Sequence, residues 1–596
     1  MSAHDQKHLP SRWRLYLVYA IAFALFAVAG GRLFYLTVLD KEFLQSQGDM
    51  RAERTESIPA TRGMILDRNG EPLAVSTPTW TVIANPRALW KLDEDPVNLA
   101  KPIGERKQPR EEIARLAEAM GVGSAWLEER FESNRSRGFM YLKRQIPPHE
   151  AEAIVEADVV GVTKIKEYKR FYPAGEVTAQ VVGFTNIDDK GQEGIELAYE
   201  QALQGKPGQI SYIKDLKGNI IRTLGQEIPE QSGETIELSI DMRLQYLAYR
   251  ELKAVVTEQR ASSASAVILD VRTGEVLAMV NQPSYNPNDR SDIEPEQLRN
   301  RAVIDLFEPG STMKPFSVTA ALRSGQYSTE SVIDTNPGYI RFGRYTIRDF
   351  RNYGEIDLET VLVKSSNVGT SRIALSLPQD TIWNMFYELG IGSPVGLGFP
   401  GETTGKLPMH PKWHPSEIAT LSYGYGLSVS TLQLAQAYMT LANDGNKVPI
   451  TLFKQDIPPQ GDQVVPPDIA RDVVRMLQSV VIEGSGKKAQ IPGYNVAGKT
   501  GTVHKVGAGG YEYDQYISLF AGIAPATNPR LAMVVMVNDP KGRKYYGGEV
   551  SAPVFSRVME GALTTLNIPP DRPEGLREVR LESDNDVPYR VVQQGG

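Results

Sequence analysis

Gly498-Lys499-Thr500-Gly501-Thr502 decides the fold, because two further motifs precede it in a fixed order: Ser311-Thr312-Met313-Lys314, then Ser365-Ser366-Asn367. A serine, a lysine, a second hydroxyl-bearing loop and a glycine-flanked lysine strand are the parts of a serine acyl-transfer site that works without histidine. Each motif alone is weak. Ser-x-x-Lys also occurs at Ser211 to Lys214 and Ser485 to Lys488, and Ser-x-Asn at Ser284-Tyr285-Asn286 and Ser583-Asp584-Asn585. Lys-Thr-Gly occurs once. Read singly, Ser311 is a helix N-cap, Ser365 to Asn367 a polar turn, and the glycines around Lys499 a strand bulge. The ordered set carries the signal.

Context singles out Ser311. Glu308-Pro309-Gly310 makes a turn before it, and Met313 to Leu322 reads as a helix that tolerates Pro315 in its first turn. Spacing of i, i+3 puts Lys314 on the helical face of Ser311. A lysine base must be neutral part of the time; burial and the charge of Lys499 both lower its pKa. The expected chemistry follows. Neutral Lys314 takes the Ser311 proton, Ser311 attacks a carbonyl, and Ser365 relays a proton to the leaving amine. Asn367 orients Lys314 and the substrate amide. Lys499, Thr500 and Thr502 hold a substrate carboxylate, and the N–H groups of Ser311 and Thr502 form an oxyanion hole.

Rival sites are poorly supported. There is no Gly-x-Ser-x-Gly elbow, and the six histidines suggest no triad. His410 and His414 are four apart, but Pro408 and Pro411 break the helix a metal pair needs, so they read as a surface loop. Gly507-Ala508-Gly509-Gly510 lacks the lysine of a phosphate loop. No metal and no cofactor is expected.

With 596 residues the chain exceeds one core, and 41% apolar and 23% charged residues are ordinary for folded protein. A formal net charge of −7 argues against nucleic-acid binding. The absence of Cys excludes disulfides, thiolate metal sites and cysteine nucleophiles. Leu15 to Gly31 carries no charge, and an apolar run resumes after Arg32 as Leu33 to Leu39. At about 1.5 Å per residue, 15–39 reaches across a hydrocarbon core of about 30 Å, with Arg32 snorkelling. Lys7, Arg12 and Arg14 place a cytoplasmic tail at 1–14 and the rest outside. Ala27-Val28-Ala29 resembles a signal-peptide cleavage site, but the resumed apolar run favours a retained anchor.

The segment 40–234 is mixed and polar, with a hairpin signal at Asn69-Gly70 and loops at Phe171 to Gly175 and Gly191 to Glu196. A second region, 235–566, holds all three motifs. Asp241 caps a predicted helix, two strands join at Arg272-Thr273-Gly274, Gln433 to Ala442 reads as a helix, and Leu531 to Val537 as a strand buried on both faces. A polar tail is expected over 567–596.

These residues, with RGMILDRNGEPLA from Arg62, FYPAGEVTAQVVGF from Phe171, GQEGIELAYE from Gly191, NRAVIDLFEPGSTMKPF from Asn300, KSSNVG from Lys364, LSYGYGLSV from Leu421, AGKTGT from Ala497 and YYGGEVSAPVF from Tyr545, give a resemblance over nearly the whole chain. The chain resembles the class B penicillin-binding proteins, most closely the branch of penicillin-binding protein 3, the division-specific peptidoglycan D,D-transpeptidases. The resemblance implies an α+β chain: one N-terminal transmembrane helix, an elongated mixed pedestal domain, and a penicillin-binding transpeptidase domain with an antiparallel sheet flanked by helices. It implies a donor stem peptide ending in D-Ala-D-Ala, an acyl-enzyme on Ser311 resolved by the amine of a neighbouring stem peptide, and acylation by β-lactams. Family roles fall on Ser311, Lys314, Ser365, Asn367, Lys499, Thr500, Gly501 and Thr502, with Tyr423, Tyr425 and Tyr546 lining the cleft. Val503-His504 departs from the Ala-Arg frequent in relatives, which puts an arginine contact to ligand there in doubt.

The resemblance also implies lipid-linked peptidoglycan precursors as substrates and, as partners, a SEDS-family glycosyltransferase and other divisome proteins. It implies a single pass of the inner membrane with the catalytic domain periplasmic. No glycosyltransferase signature precedes the pedestal segment. The rival readings are a serine β-lactamase or D,D-carboxypeptidase, in which water replaces the amine, and a membrane-tethered scaffold or β-lactam sensor with a vestigial site.

Overall fold

The computed structural model describes residues 12–42, 53–214, 220–507 and 510–572. Most of the expected tails at 1–14 and 567–596, and the stray Ser583-Asp584-Asn585, lie outside the described residues. The chain divides into two compact units, Met1–Thr61 with Gly205–Ser232, and Arg62–Gln204 with Gly233–Gly596.

In the first unit, helix α1 (Arg12–Phe34) continues through a π turn at Tyr35–Leu39, and Arg12–Leu39 is long and apolar enough to cross a membrane. The same unit holds an antiparallel three-stranded sheet in which Gly208–Lys214 lies between Glu53–Ile58 and Ile220–Ile228. Ser211, from one stray Ser-x-x-Lys, sits in this sheet with its hydroxyl 3.2 Å from that of Thr55.

The second unit opens with the hairpin that Asn69-Gly70 signalled. Ile65–Leu66 turns back into Pro72–Ala84, and Asp67 Oδ1 accepts from the N–H of Asn69 at 2.7 Å and of Glu71 at 2.9 Å. The long second strand pairs antiparallel with Met140–Ile146 and Val162–Phe171. Below it lies a buried ion cluster. Glu196 accepts from Arg62 Nε at 2.6 Å and from Arg170 Nε at 2.6 Å, with all three side chains at most 1% exposed. Removing the shared carboxylate leaves two buried guanidinium groups short of a counter-charge. Glu196→Ala is expected to destabilise the protein by about 3–5 kcal/mol, read by chemical denaturation. The Phe171 to Gly175 loop is stitched to the catalytic region: Asn288 accepts from Tyr172 N at 2.9 Å and donates to Tyr172 O at 2.8 Å.

The catalytic region is built on one antiparallel sheet. Its strands are β1 (Ser263–Asp270), β2 (Val276–Gln282), β3 (Ala497–Gly507), β4 (Gly510–Ala524) and β5 (Leu531–Asn538), in the order β2-β1-β5-β4-β3. Around it lie helices α2 (Met242–Gln259), α3 (Lys314–Arg323), α4 (Asn367–Ser376), α5 (Thr431–Ala442) and α6 (Gly547–Thr565). Asp241 caps α2, accepting from Arg243 N at 3.0 Å. Alternation sorts the two sheet faces. Ala266, Ile268, Met533 and Val535 join α2 and α6 in one core, while Val267, Leu269, Val534 and Met536 join α5 in the other. That two-sided burial is why Leu531 to Val537 is apolar throughout. The chain after α6 starts held: Ile568 is buried, and Asp571 accepts from Asn495 N at 2.7 Å. β3 is left at the sheet edge.

Candidate active site

Three segments distant in sequence converge at this edge. Gly310–Met313 forms a 3-10 turn that runs into α3. Tyr438 of α5 donates its hydroxyl to Thr312 O at 2.8 Å and packs edge-on against Phe316, fixing the turn from below. Gly310 N donates to Gly424 O at 3.0 Å, and a Cβ on Gly424 would stand 2.1 Å from Gly310 O. Gly501 of β3 backs onto the same turn: a Cβ there would meet Thr312 Cγ2 at 3.0 Å and Pro309 O at 3.1 Å. Glycine at 501 is thus a condition for strand and turn to touch.

Both lysines are fully buried. Lys314 Nζ lies 2.5 Å from Ser365 O, 2.7 Å from Asn367 Oδ1 and 3.1 Å from Ser365 Oγ. Lys499 Nζ lies 3.0 Å from the same Ser365 Oγ and 3.2 Å from Thr500 O. The two carbonyl oxygens around Lys314 can only accept. They use the two N–H bonds of a neutral amine and leave its lone pair to receive a proton from a hydroxyl. Ser365 Oγ accepts from Lys499 and stands within hydrogen-bond distance of Lys314, so one hydroxyl joins the two amines. Burial, and then the charge of Lys499, push the Lys314 pKa well below that of an ordinary lysine, against the pull of Asp349. Burial lowers Lys499 to about 7. Among the described residues Ser311 Oγ is in no hydrogen bond, and its residue is half-buried at the mouth of the turn.

Asp349, which the motif reading did not single out, fixes the Ser365 loop. Its carboxylate accepts from Ser366 Oγ and, at 3.0 Å, from Val368 N at the start of α4. Ser366 itself caps α4 by accepting from Gly369 N at 2.8 Å. Ser365 is held at φ +55°, a left-handed conformation unfavourable for any residue but glycine, so the loop needs this tether. Asp349→Asn is expected to slow acylation by benzylpenicillin about ten- to a hundredfold by loosening that geometry. Removing the negative charge also lowers the Lys314 pKa further, so the acid limb of the acylation rate should move to lower pH. A pH–rate profile of the variant checks both.

Thr502 Oγ1 accepts from Gly547 N at 2.9 Å, tying β3 to the start of α6. Thr500 Oγ1 is 2.5 Å from Ser485 Oγ, so the stray Ser485 to Lys488 motif buttresses the lysine strand. Tyr423 is buried, its ring edge-on to Tyr425 at 5.4 Å and its hydroxyl 3.5 Å from that of Tyr345. Tyr425 faces Tyr511 at 6.0 Å, and Tyr511 donates to Glu308 at 3.0 Å. Tyr546 is 56% exposed and ends a ladder of rings running through Tyr545 and Tyr516 to His504. At the departure point Val503 is buried core, and His504 packs on Tyr516 beside a cavity of about 660 Å³ shared with Arg301 and Asp305. His414 caps the helix Pro415–Ser422. Among the described residues no group of acidic and histidine side chains is arranged to hold a metal.

The penicillin binding protein transpeptidase domain family matches residues 264–560, and the penicillin-binding protein dimerisation domain family matches residues 57–238. The peptidoglycan D,D-transpeptidase FtsI of Escherichia coli K12 is 42% identical over 560 residues, covering 94% of this chain and 93% of its own. The probable peptidoglycan D,D-transpeptidase PbpC of Pseudomonas aeruginosa is 42% identical over 94% of this chain and 96% of its own. The solved transpeptidase domain of Burkholderia pseudomallei penicillin-binding protein 3, in its apo form, is 41% identical with a TM-score of 0.52. It covers 56% of this chain and 98% of that one.

Proposed function

This chain belongs to the class B penicillin-binding proteins, and on that premise we propose how its residues divide the work of a peptidoglycan D,D-transpeptidase. The protein crosslinks stem peptides in septal wall synthesis through a serine acyl-enzyme, and β-lactams acylate it. Ser311 is the nucleophile and neutral Lys314 its base. The Ser311 oxygen attacks the carbonyl of the penultimate D-Ala, its proton passes to Lys314, and Ser365 delivers a proton to the departing D-Ala nitrogen. An incoming amine then attacks the ester, its proton returns through the same groups, and the Ser311 hydroxyl is restored. Asn367 holds the Lys314 amine, while Lys499, Thr500 and Thr502 hold the donor carboxylate. Gly501 lets β3 approach the nucleophile turn, the N–H groups of Ser311 and Thr502 face the oxyanion, and Tyr423, Tyr425 and Tyr546 shape the cleft.

The observation that carries this reading is Ser365 Oγ standing 3.1 Å from Lys314 Nζ and 3.0 Å from Lys499 Nζ, with both amines buried. Residues 40–234 serve as pedestal and 235–566 as the transpeptidase domain. Residues 15–39 anchor the chain in the inner membrane, with the N-terminus cytoplasmic and the catalytic domain periplasmic. The anchor and pedestal are the surfaces a SEDS-family glycosyltransferase would contact. Intact-mass analysis after exposure to benzylpenicillin, with peptide mapping, tests the central claim. One adduct on the peptide containing Ser311, persisting for minutes or longer, is expected; rapid turnover of the drug would favour a β-lactamase.

A further inference from the structure

Between α3 and α4 the chain forms a small antiparallel hairpin, Tyr339–Phe342 against Tyr345–Arg348, followed by Asp349, Phe350 and Arg351. Residues 339–353 hold four arginines, Arg341, Arg344, Arg348 and Arg351, against one aspartate, in a chain whose formal net charge is −7. That aspartate is spent on the start of α4. All four arginines are exposed, and among the described residues none takes part in an ion pair. Arg351 has only the ring of Tyr353, 5.5 Å from its guanidinium carbon. Elsewhere the arginines with carboxylates in reach use them: Arg144 pairs with Glu167 and Asp188, Arg301 with Asp305, and Arg471 with Asp444. Phe350, set between two of the unpaired arginines, is 98% exposed. A basic surface with one exposed apolar ring, and with no ion pair to its arginines among the described residues, fits a flexible anionic peptide.

Its position says which peptide. The hairpin is rooted on the wall of the cleft that carries Ser365 and Asn367. Arg348 O accepts from Asn367 Nδ2 at 3.4 Å, and Tyr345 reaches Tyr423. The donor's single terminal carboxylate already has its place at Lys499, Thr500 and Thr502 in the function proposed above, on which this inference rests. The amine that resolves the ester must surrender its proton to Ser365 or Lys314, so it approaches on the Ser365 side. A stem peptide bearing that amine also brings free carboxylates at its acidic residue and its terminus. We propose that the hairpin 339–348, with Phe350 and Arg351, is the docking surface for the acceptor stem peptide, its arginines holding the acceptor's carboxylates.

The test uses the full chain, a thioester donor, and two acceptors: a stem peptide with its side-chain amine and free carboxylates, and the same peptide with its carboxylates amidated. In Arg341→Gln/Arg344→Gln/Arg351→Gln the acceptor KM for the free-acid peptide should rise about five- to tenfold, since exposed pairs are individually weak. The KM for the amidated peptide and kcat at saturating acceptor should hold, and raised salt should erase the difference in the unsubstituted protein. Benzylpenicillin acylation reports whether the variant is folded; if the triple variant fails to acylate, Arg344→Glu at the hairpin tip repeats the measurement. A variant that keeps the unsubstituted KM for the free-acid peptide overturns the docking surface. An unsubstituted protein that forms no acyl-enzyme with the thioester overturns the underlying function and the surface with it.

Discussion

Ser311→Ala leaves no covalent adduct after benzylpenicillin, and its donor acylation falls by about 10⁴-fold or more, because no other group can take over the attack. Among the described residues Ser365 is the hydroxyl that stands within hydrogen-bond distance of both lysines, and its Oγ is committed between the two amines at 3.1 and 3.0 Å. The substitution removes one atom from a half-buried position, and the turn keeps its supports from Tyr438 and Gly424. Thermal unfolding should therefore match that of the unsubstituted protein. An adduct of unchanged mass and rate in the alanine variant would remove Ser311 from the mechanism.

Lys314→Met comes next in size. Methionine nearly fills the lysine's volume in a fully buried position but cannot take a proton, so acylation should drop about 10³- to 10⁴-fold, the scale of a lost general base. The unsubstituted protein supplies the complementary signature. Folding lowers the Lys314 pKa through burial and the Lys499 charge, so the competent neutral form grows as pH rises. Acylation should increase with pH through that depressed pKa and fall away on its acid side. Lys499→Met removes the neighbouring cation and raises the Lys314 pKa, which should carry the acid limb to higher pH. The two buried amines are coupled, so the limb belongs to the pair. A rate independent of pH across the neutral and acid range would contradict a lysine base.

Much of the catalytic region was legible from pattern alone. The Asp241 cap, the strands on either side of Arg272-Thr273-Gly274 and the buried run from Leu531 are local signals, written in side-chain type and spacing. The three motifs were legible for the same reason, and the structure brings their residues together around Ser365. Asp349 was not, because nothing local marks it: its value comes from a hairpin that delivers it to the start of α4. Ser485 looked like a stray copy of a motif and is a buttress of Thr500, a contact spanning a helix-to-strand connection. The departure at Val503-His504 read as a doubtful ligand contact, whereas packing assigns Val503 to the core and His504 to an aromatic ladder.

By itself the sequence determined the acyl-transfer chemistry, the apolar N-terminal helix and the antiparallel core, since each is encoded by residue identity over a short window. Only the tertiary structure decided that one hydroxyl, Ser365 Oγ, joins two fully buried amines, and that four exposed arginines at 341–351 take part in no ion pair among the described residues. Burial and ion pairing depend on which distant segments come together, and a pKa or an unspent charge exists only once they have.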